Sequence, residues 1–165
     1  MPKRSPAPRT ADPAWLQLDR QLCFALYSSS LAMTRLYKPL LEPLGLTYPQ
    51  YLVLLVLWEQ DDQGVGTLGE KLFLDSGTLT PLLKRMEAAG WLTRQRAADD
   101  ERRVQVRLTP AGLALRDRAC PLPPQVFNAS GCTLAELQDL THSLQALRSR
   151  LLAQADAASI AAASP

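Results

Sequence analysis

Apolar residues recur every three to four positions at Leu18, Leu22, Leu26, Met33, Leu36, Tyr37 and Leu40. That period predicts one long helix over 16–41 whose apolar stripe needs a cover. Pro43 and Gly45 end it. Three later helix starts share a capping signature, a Thr with Gln or Glu three residues on: Thr47 with Gln50, Thr67 with Glu70 and Thr133 with Glu136. The first opens on the continuous apolar run Tyr51 to Trp58, which suits a buried central helix. The second is short, Thr67 to Phe73. Asp75, Ser76 and Thr78 offer capping oxygens for a further helix, which accommodates Pro81 near its first turn and stops at Gly90. Two helices joined by Leu74-Asp75-Ser76-Gly77 predict a helix-turn-helix.

Beyond Gly90 the period changes to two. Trp91 to Arg94 and Val104 to Leu108 alternate apolar and polar residues around the polar stretch 98–102, which predicts a hairpin with a charged tip. Thr109 and Pro110 open a helix to about Ala119, Pro121, Pro123 and Pro124 break it, and a last helix spans Thr133 to Gln154. The fold expected is mainly α with a small β-hairpin, a winged helix-turn-helix. Residues 14–155 form one domain, with the DNA-binding part at about 47–110 and dimerisation helices at about 14–44 and 111–155. Residues 1–13, rich in Pro, Ala, Arg and Lys, read as a disordered arm, and 156–165 as a frayed tail.

Composition narrows the class. The 165 residues are nearly half apolar and carry a net charge of only +2, so a nucleic-acid partner requires clustered cations. They are clustered: Lys84 and Arg85 precede Arg94, Arg96, Arg102, Arg103 and Arg107. The start MPKRSPAPRT lacks the apolar core of a secretory leader, and no run is long enough to span a membrane, so a cytoplasmic protein is expected. Three irregularly spaced cysteines and one histidine make neither a disulfide framework nor a metal site. No metal or cofactor is expected, and any disulfide is transient.

A recognition helix needs small and hydroxylated residues near its start and cations further along. Ser76, Gly77, Thr78, Thr80, Pro81, Lys84 and Arg85 meet that need, while the tip carries Asp100 and Arg102, with Arg103 beside it, where a wing enters the minor groove. The competing reading makes these a solvated face and ordinary caps. One reading helix discriminates poorly, so a homodimer on a pseudo-palindromic double-stranded operator is expected. The first helix and the leucines of the last (Leu134, Leu137, Leu140, Leu144, Leu147, Leu151) supply its interface.

Cys23 lies in the apolar run Leu22 to Tyr27, where a cysteine is ordinarily a small buried hydrophobe. Reaction with a peroxide needs its thiolate. Tyr27, Tyr37 and Tyr48 are candidate donors to that anion, each hydrogen bond to a charged acceptor contributing about 1.5–3 kcal/mol. His142 reads as solvent-facing, and Trp15, Trp58 and Trp91 as packing residues.

The runs Leu18 to Tyr27, Tyr37 to Leu41, Leu46 to Tyr51, Leu74 to Met86 and Asp99 to Arg102 together resemble the organic hydroperoxide resistance regulators of the MarR family, over about Leu16 to Leu151. The resemblance implies a repressor, not an enzyme, induced by organic hydroperoxides and derepressing a peroxide-detoxification gene. It makes Cys23 the peroxidatic cysteine, with Tyr37 and Tyr48 holding it across the dimer interface. It implies a resolving cysteine near the turn before the last helix, Cys132, with Cys120 as second candidate and an external small thiol as a third route. Two rivals stay open: a MarR-type repressor answering a phenolic or drug-like ligand, and a thiol peroxidase.

Overall fold

The computed structural model describes residues 16–96 and 103–162. The chain divides into two compact units, Met1–Cys120 and Pro121–Pro165. In the first, a 3-10 turn at Leu18–Arg20 precedes α1 (Leu22–Leu41), and a second at Glu42–Leu44 leads to α2 (Tyr48–Glu59). Then follow β1 (Gln63–Gly64), α3 (Val65–Leu72), α4 (Ser76–Ala88), β2 (Leu92–Arg96), β3 (Val104–Leu108) and α5 (Pro110–Ala119). The second unit holds α6 (Leu122–Ser130) and α7 (Leu134–Ala162).

The capping box at α2 forms as expected: the Thr47 backbone N–H donates to Gln50 Oε1 at 2.8 Å, and the helix starts at Tyr48. Its apolar run is buried on most sides, with Tyr51, Val53, Leu54, Val56 and Leu57 all in the core. Burying each such side chain contributes about 1.5–3 kcal/mol. α3 and α4 pack on it through Leu68, Leu79, Leu82, Leu83 and Met86.

The expected start of α3 at Thr67 is corrected. The helix begins at Val65, because Gln63 and Gly64 pair with Val106 and Gln105 and set its N-cap at Gly64. This two-residue strand, which the sequence reading lacked, makes the sheet three-stranded in the order β1-β3-β2. The helix-turn-helix connection is also shorter than expected. Phe73, at φ 56, ends α3, Asp75 is the N-cap of α4, and Ser76 and Gly77 already belong to that helix. Pro81 therefore lies in the second turn, where the residue four positions earlier is Gly77. β2 and β3 pair in register from Leu92 with Leu108 to Arg96 with Val104. The tip residues 97–102, Asp100 and Arg102 among them, lie outside the described residues, as do 1–15 and 163–165.

α5 ends at Ala119 before Pro121, Pro123 and Pro124, as expected, but these prolines then open a further helix that the pattern does not predict. They sit at the start of α6, with Pro123 and Pro124 in its first turn, where a helix makes no use of backbone N–H groups. The Thr133–Glu136 box opens α7, with the Thr133 N–H donating to Glu136 Oε2 at 2.7 Å. α7 continues to Ala162, past the expected end at Gln154 and through most of the expected frayed tail.

The wing and α5 meet at one close contact. Gly90, at φ +76, turns the chain out of α4, its carbonyl accepts from Thr109 Oγ1 at 2.6 Å, and the Trp91 carbonyl accepts from the Thr109 N–H at 3.0 Å. Trp58 Nε1 donates to the Gly112 carbonyl at 3.0 Å. A Cβ on residue 112 would lie 1.9 Å from the Trp91 oxygen, a clash with backbone that no rotamer relieves. Gly112→Ala is expected to cost about 3 kcal/mol, the upper part of the overpacking range, measured by urea unfolding. A variant as stable as the wild type would refute this contact.

Candidate nucleic-acid interface and thiol site

α4 presents one buried and one open face. Leu79, Leu82, Leu83 and Met86 point inward, while Ser76, Gly77, Thr78, Pro81, Lys84 and Arg85 are exposed and Thr80 is half-buried. The residues expected to read DNA thus share one side of a single helix. Asp75 Oδ1 accepts from the Thr78 N–H at 2.8 Å and Oδ2 from Thr78 Oγ1 at 2.9 Å, so the Thr78 hydroxyl proton is already engaged. The two bonds from Thr78 hold the Asp75 carboxyl below its ordinary range, the backbone one more strongly.

The basic cluster of the hairpin is thinner than its sequence reads. Arg94 is held by Glu87, with Nη2 to Oε2 at 2.8 Å. Arg107 is tied to Asp62 at 2.6 Å, beside Asp61, whose Oδ1 accepts from the Leu108 N–H at 2.9 Å. Arg103 is exposed immediately before β3. Between α4, the start of α3 and the wing lies a cleft of about 640 Å³ whose lining includes Thr80, Arg94, Arg103 and Gln105.

Cys23, Cys120 and Cys132 are all exposed free thiols. Cys23 is therefore not the buried hydrophobe of the ordinary reading. Tyr37 and Tyr48 do come together, with ring centroids 4.9 Å apart, and Tyr51 packs against both at 5.8 and 6.4 Å. Burial raises the pKa of all three, Tyr51 to about 12, with added repulsion from Tyr37, Tyr48 and Cys120. They remain protonated donors at neutral pH. Tyr51 was not among the expected site residues; the signal was its place three residues after Tyr48, one helical turn on.

Cys23 is not at this cluster within one chain. Tyr37 follows it by fourteen residues on the same helix, about 21 Å along the axis. Only Tyr27, one turn away, shares its part of α1. Cys132 lies between α6 and α7, its thiol donating to the Ser130 carbonyl at 3.7 Å. His142 is exposed, as expected, and Trp58 and Trp91 are half-buried packing residues.

A recognition helix behind a capped turn, a sheet wing and long flanking helices define a winged helix-turn-helix transcriptional regulator rather than an enzyme. Comparison with known proteins sharpens this. The model of the transcriptional regulator SarA/Rot family matches residues 35–118. The organic hydroperoxide resistance transcriptional regulator of Bacillus subtilis (strain 168) is 48% identical over 132 residues, 80% of this chain and 90% of that protein. Reduced AbfR bound to DNA superposes with a TM-score of 0.70 at 34% identity, covering 84% of this chain and 97% of that one. AbfR, a Staphylococcus epidermidis protein, is also similar in a disulfide-formed state, at TM-score 0.55 and 38% identity over 81% of this chain and 94% of that one. The chain belongs to the MarR-type, SarA/Rot family of DNA-binding transcriptional regulators, in the organic hydroperoxide resistance branch.

The depressed Asp75 pKa means that its cap is fully formed above the ordinary aspartate pKa and lost as pH falls through the lower folded value. Asp75→Asn keeps a capping oxygen but does not titrate. Wild type is expected to unfold at a higher temperature than the variant at neutral pH, with the gap closing in acid. A gap that is independent of pH would contradict the assignment.

Proposed function

We propose that the chain is a redox-sensing repressor which, as a homodimer, holds a pseudo-palindromic operator and releases it when an organic hydroperoxide oxidises Cys23. The observation that carries this reading is the separation on α1. An exposed thiol and a tyrosine cluster too far apart to meet in one chain become neighbours if a second copy lies antiparallel along the first. The uncovered apolar residues favour such pairing: Leu22 is 58% exposed, Tyr27 62%, Leu134 60% and Leu151 57%. Tyr37 and Tyr48 of one protomer then donate to the Cys23 thiolate of its partner.

The thiolate attacks the outer peroxide oxygen, the O–O bond breaks, and the alkoxide leaves as the alcohol after taking a proton. Cys23 becomes a sulfenic acid. A second thiol attacks that sulfur, forming S–S and releasing water. Cys132 is the proposed resolving residue, exposed at the turn before α7, with Cys120 the alternative. The disulfide-formed state described for AbfR supports a step of this kind. Strain from the bridge shifts the two reading heads, and operator contacts made by Ser76, Gly77, Thr78, Thr80, Pro81, Lys84 and Arg85, with Asp100, Arg102 and Arg103 at the wing, are lost together. The derepressed gene encodes a peroxide-detoxifying function.

Cys23→Ser is expected to bind operator like the wild type and to stay bound in cumene hydroperoxide. Release of that variant by peroxide would remove Cys23 from the sensor role. Tyr37→Phe and Tyr48→Phe, each deleting one donor to the thiolate, are expected to slow Cys23 oxidation by about tenfold, equivalent to about 1.4 kcal/mol. Stopped-flow thiol titration measures this, and unchanged rates would dissociate the tyrosines from the sulfur.

A further inference from the structure

Glu87, one residue from the end of α4, accepts three hydrogen bonds from a single residue of the wing. Its Oε2 receives Arg94 Nε at 2.9 Å and Nη2 at 2.8 Å, and its Oε1 receives the Arg94 backbone N–H at 2.8 Å. The two side chains are 35% and 22% exposed. A forked guanidinium fixes the orientation as well as the separation of its partner. The third bond holds the strand itself. β2 is the outer strand of the sheet order β1-β3-β2, so Glu87 also satisfies an N–H that the sheet leaves unpaired.

Apolar packing also links α4 to the sheet. Leu83 and Met86 are buried in the same core as Leu92 and Val106, and such packing resists separation but carries little directional preference. The carboxylate clasp adds a directional constraint on the outer strand of the wing. We propose that Glu87 is a positioning residue for operator binding, fixing the wing's aim relative to the recognition helix so that both meet DNA as one rigid head. Arg94 is spent inside the protein rather than on a phosphate. The inference rests on the reading of β2–β3 as a DNA-contacting wing.

Removing the Glu87 charge discriminates by sign. If Glu87 merely neutralises Arg94, Glu87→Gln adds one positive charge per chain, and both affinity and its salt dependence rise. If Glu87 aims the wing, both fall, because wing contacts are lost although net charge has become more favourable. Wild type, E87Q and R94K are compared on a duplex that the wild type selects from a randomised pool. Affinity is measured across a salt series, with dimethyl sulfate footprints reading the major groove and hydroxyl-radical footprints the minor groove.

E87Q is expected to bind about tenfold more weakly, with a salt slope shallower by about two, one phosphate contact per wing. Flanking hydroxyl-radical protection disappears while central dimethyl sulfate protection persists. R94K, which keeps the charge but not the fork, changes in the same direction. Binding by E87Q as tight as the wild type or tighter overturns the proposal. So does parallel loss of both footprints with a lowered unfolding midpoint, which marks a general stability role. A wing reading that is itself wrong shows differently, as a wild-type footprint without any flanking minor-groove protection.

Discussion

The approach of α5 to the Trp91 carbonyl, open only because residue 112 is glycine, is the contact on which the placement of the wing depends. It sets α5 against the Gly90–Trp91 turn that follows α4, lets Trp58 of α2 donate to the Gly112 carbonyl, and brings Thr109 onto Gly90 and Trp91. Three segments remote in sequence converge there. α2 matters for the same reason: buried on most sides, it is the element against which α1, α3, α4 and α5 are all counted as neighbours.

From that frame the chain builds two kinds of surface. One is rigid and polar, with the exposed face of α4 and the adjoining strands held by carboxylates at both strands of the wing, Glu87 on β2 and Asp61 and Asp62 on β3. The other is apolar and uncovered, on α1 in the first unit and on α7 in the second. A DNA-binding regulator needs both, since a stiff reading head preserves register with base edges and a self-associating surface sets the distance between two heads. The tyrosine cluster lies where α1 and α2 meet.

Much of this was legible in the residues. The capping boxes at Thr47 and Thr133 and Pro110 at the start of α5 are local devices, decided by neighbours within four positions, and they appear where the pattern places them. Asp75, one of the capping residues the pattern offers, caps α4, and the period-two runs pair as β2 and β3. The early start of α3 was not legible, because it follows from pairing of Gln63 and Gly64 with a strand some forty residues later. Nor was α6, whose prolines look like breakers until they are seen to occupy a first turn.

By itself the sequence determined the order of elements, the face of α4 left open and the supply of thiols and phenols, since period, caps and residue chemistry are local quantities. Tertiary structure decided which charges are available and which groups meet. It spent Arg94 and Arg107 on internal carboxylates, added Tyr51 to the pair Tyr37 and Tyr48, and put Cys23 out of their reach within one chain. Those outcomes depend on distances between segments far apart in the chain, which only the packed fold determines.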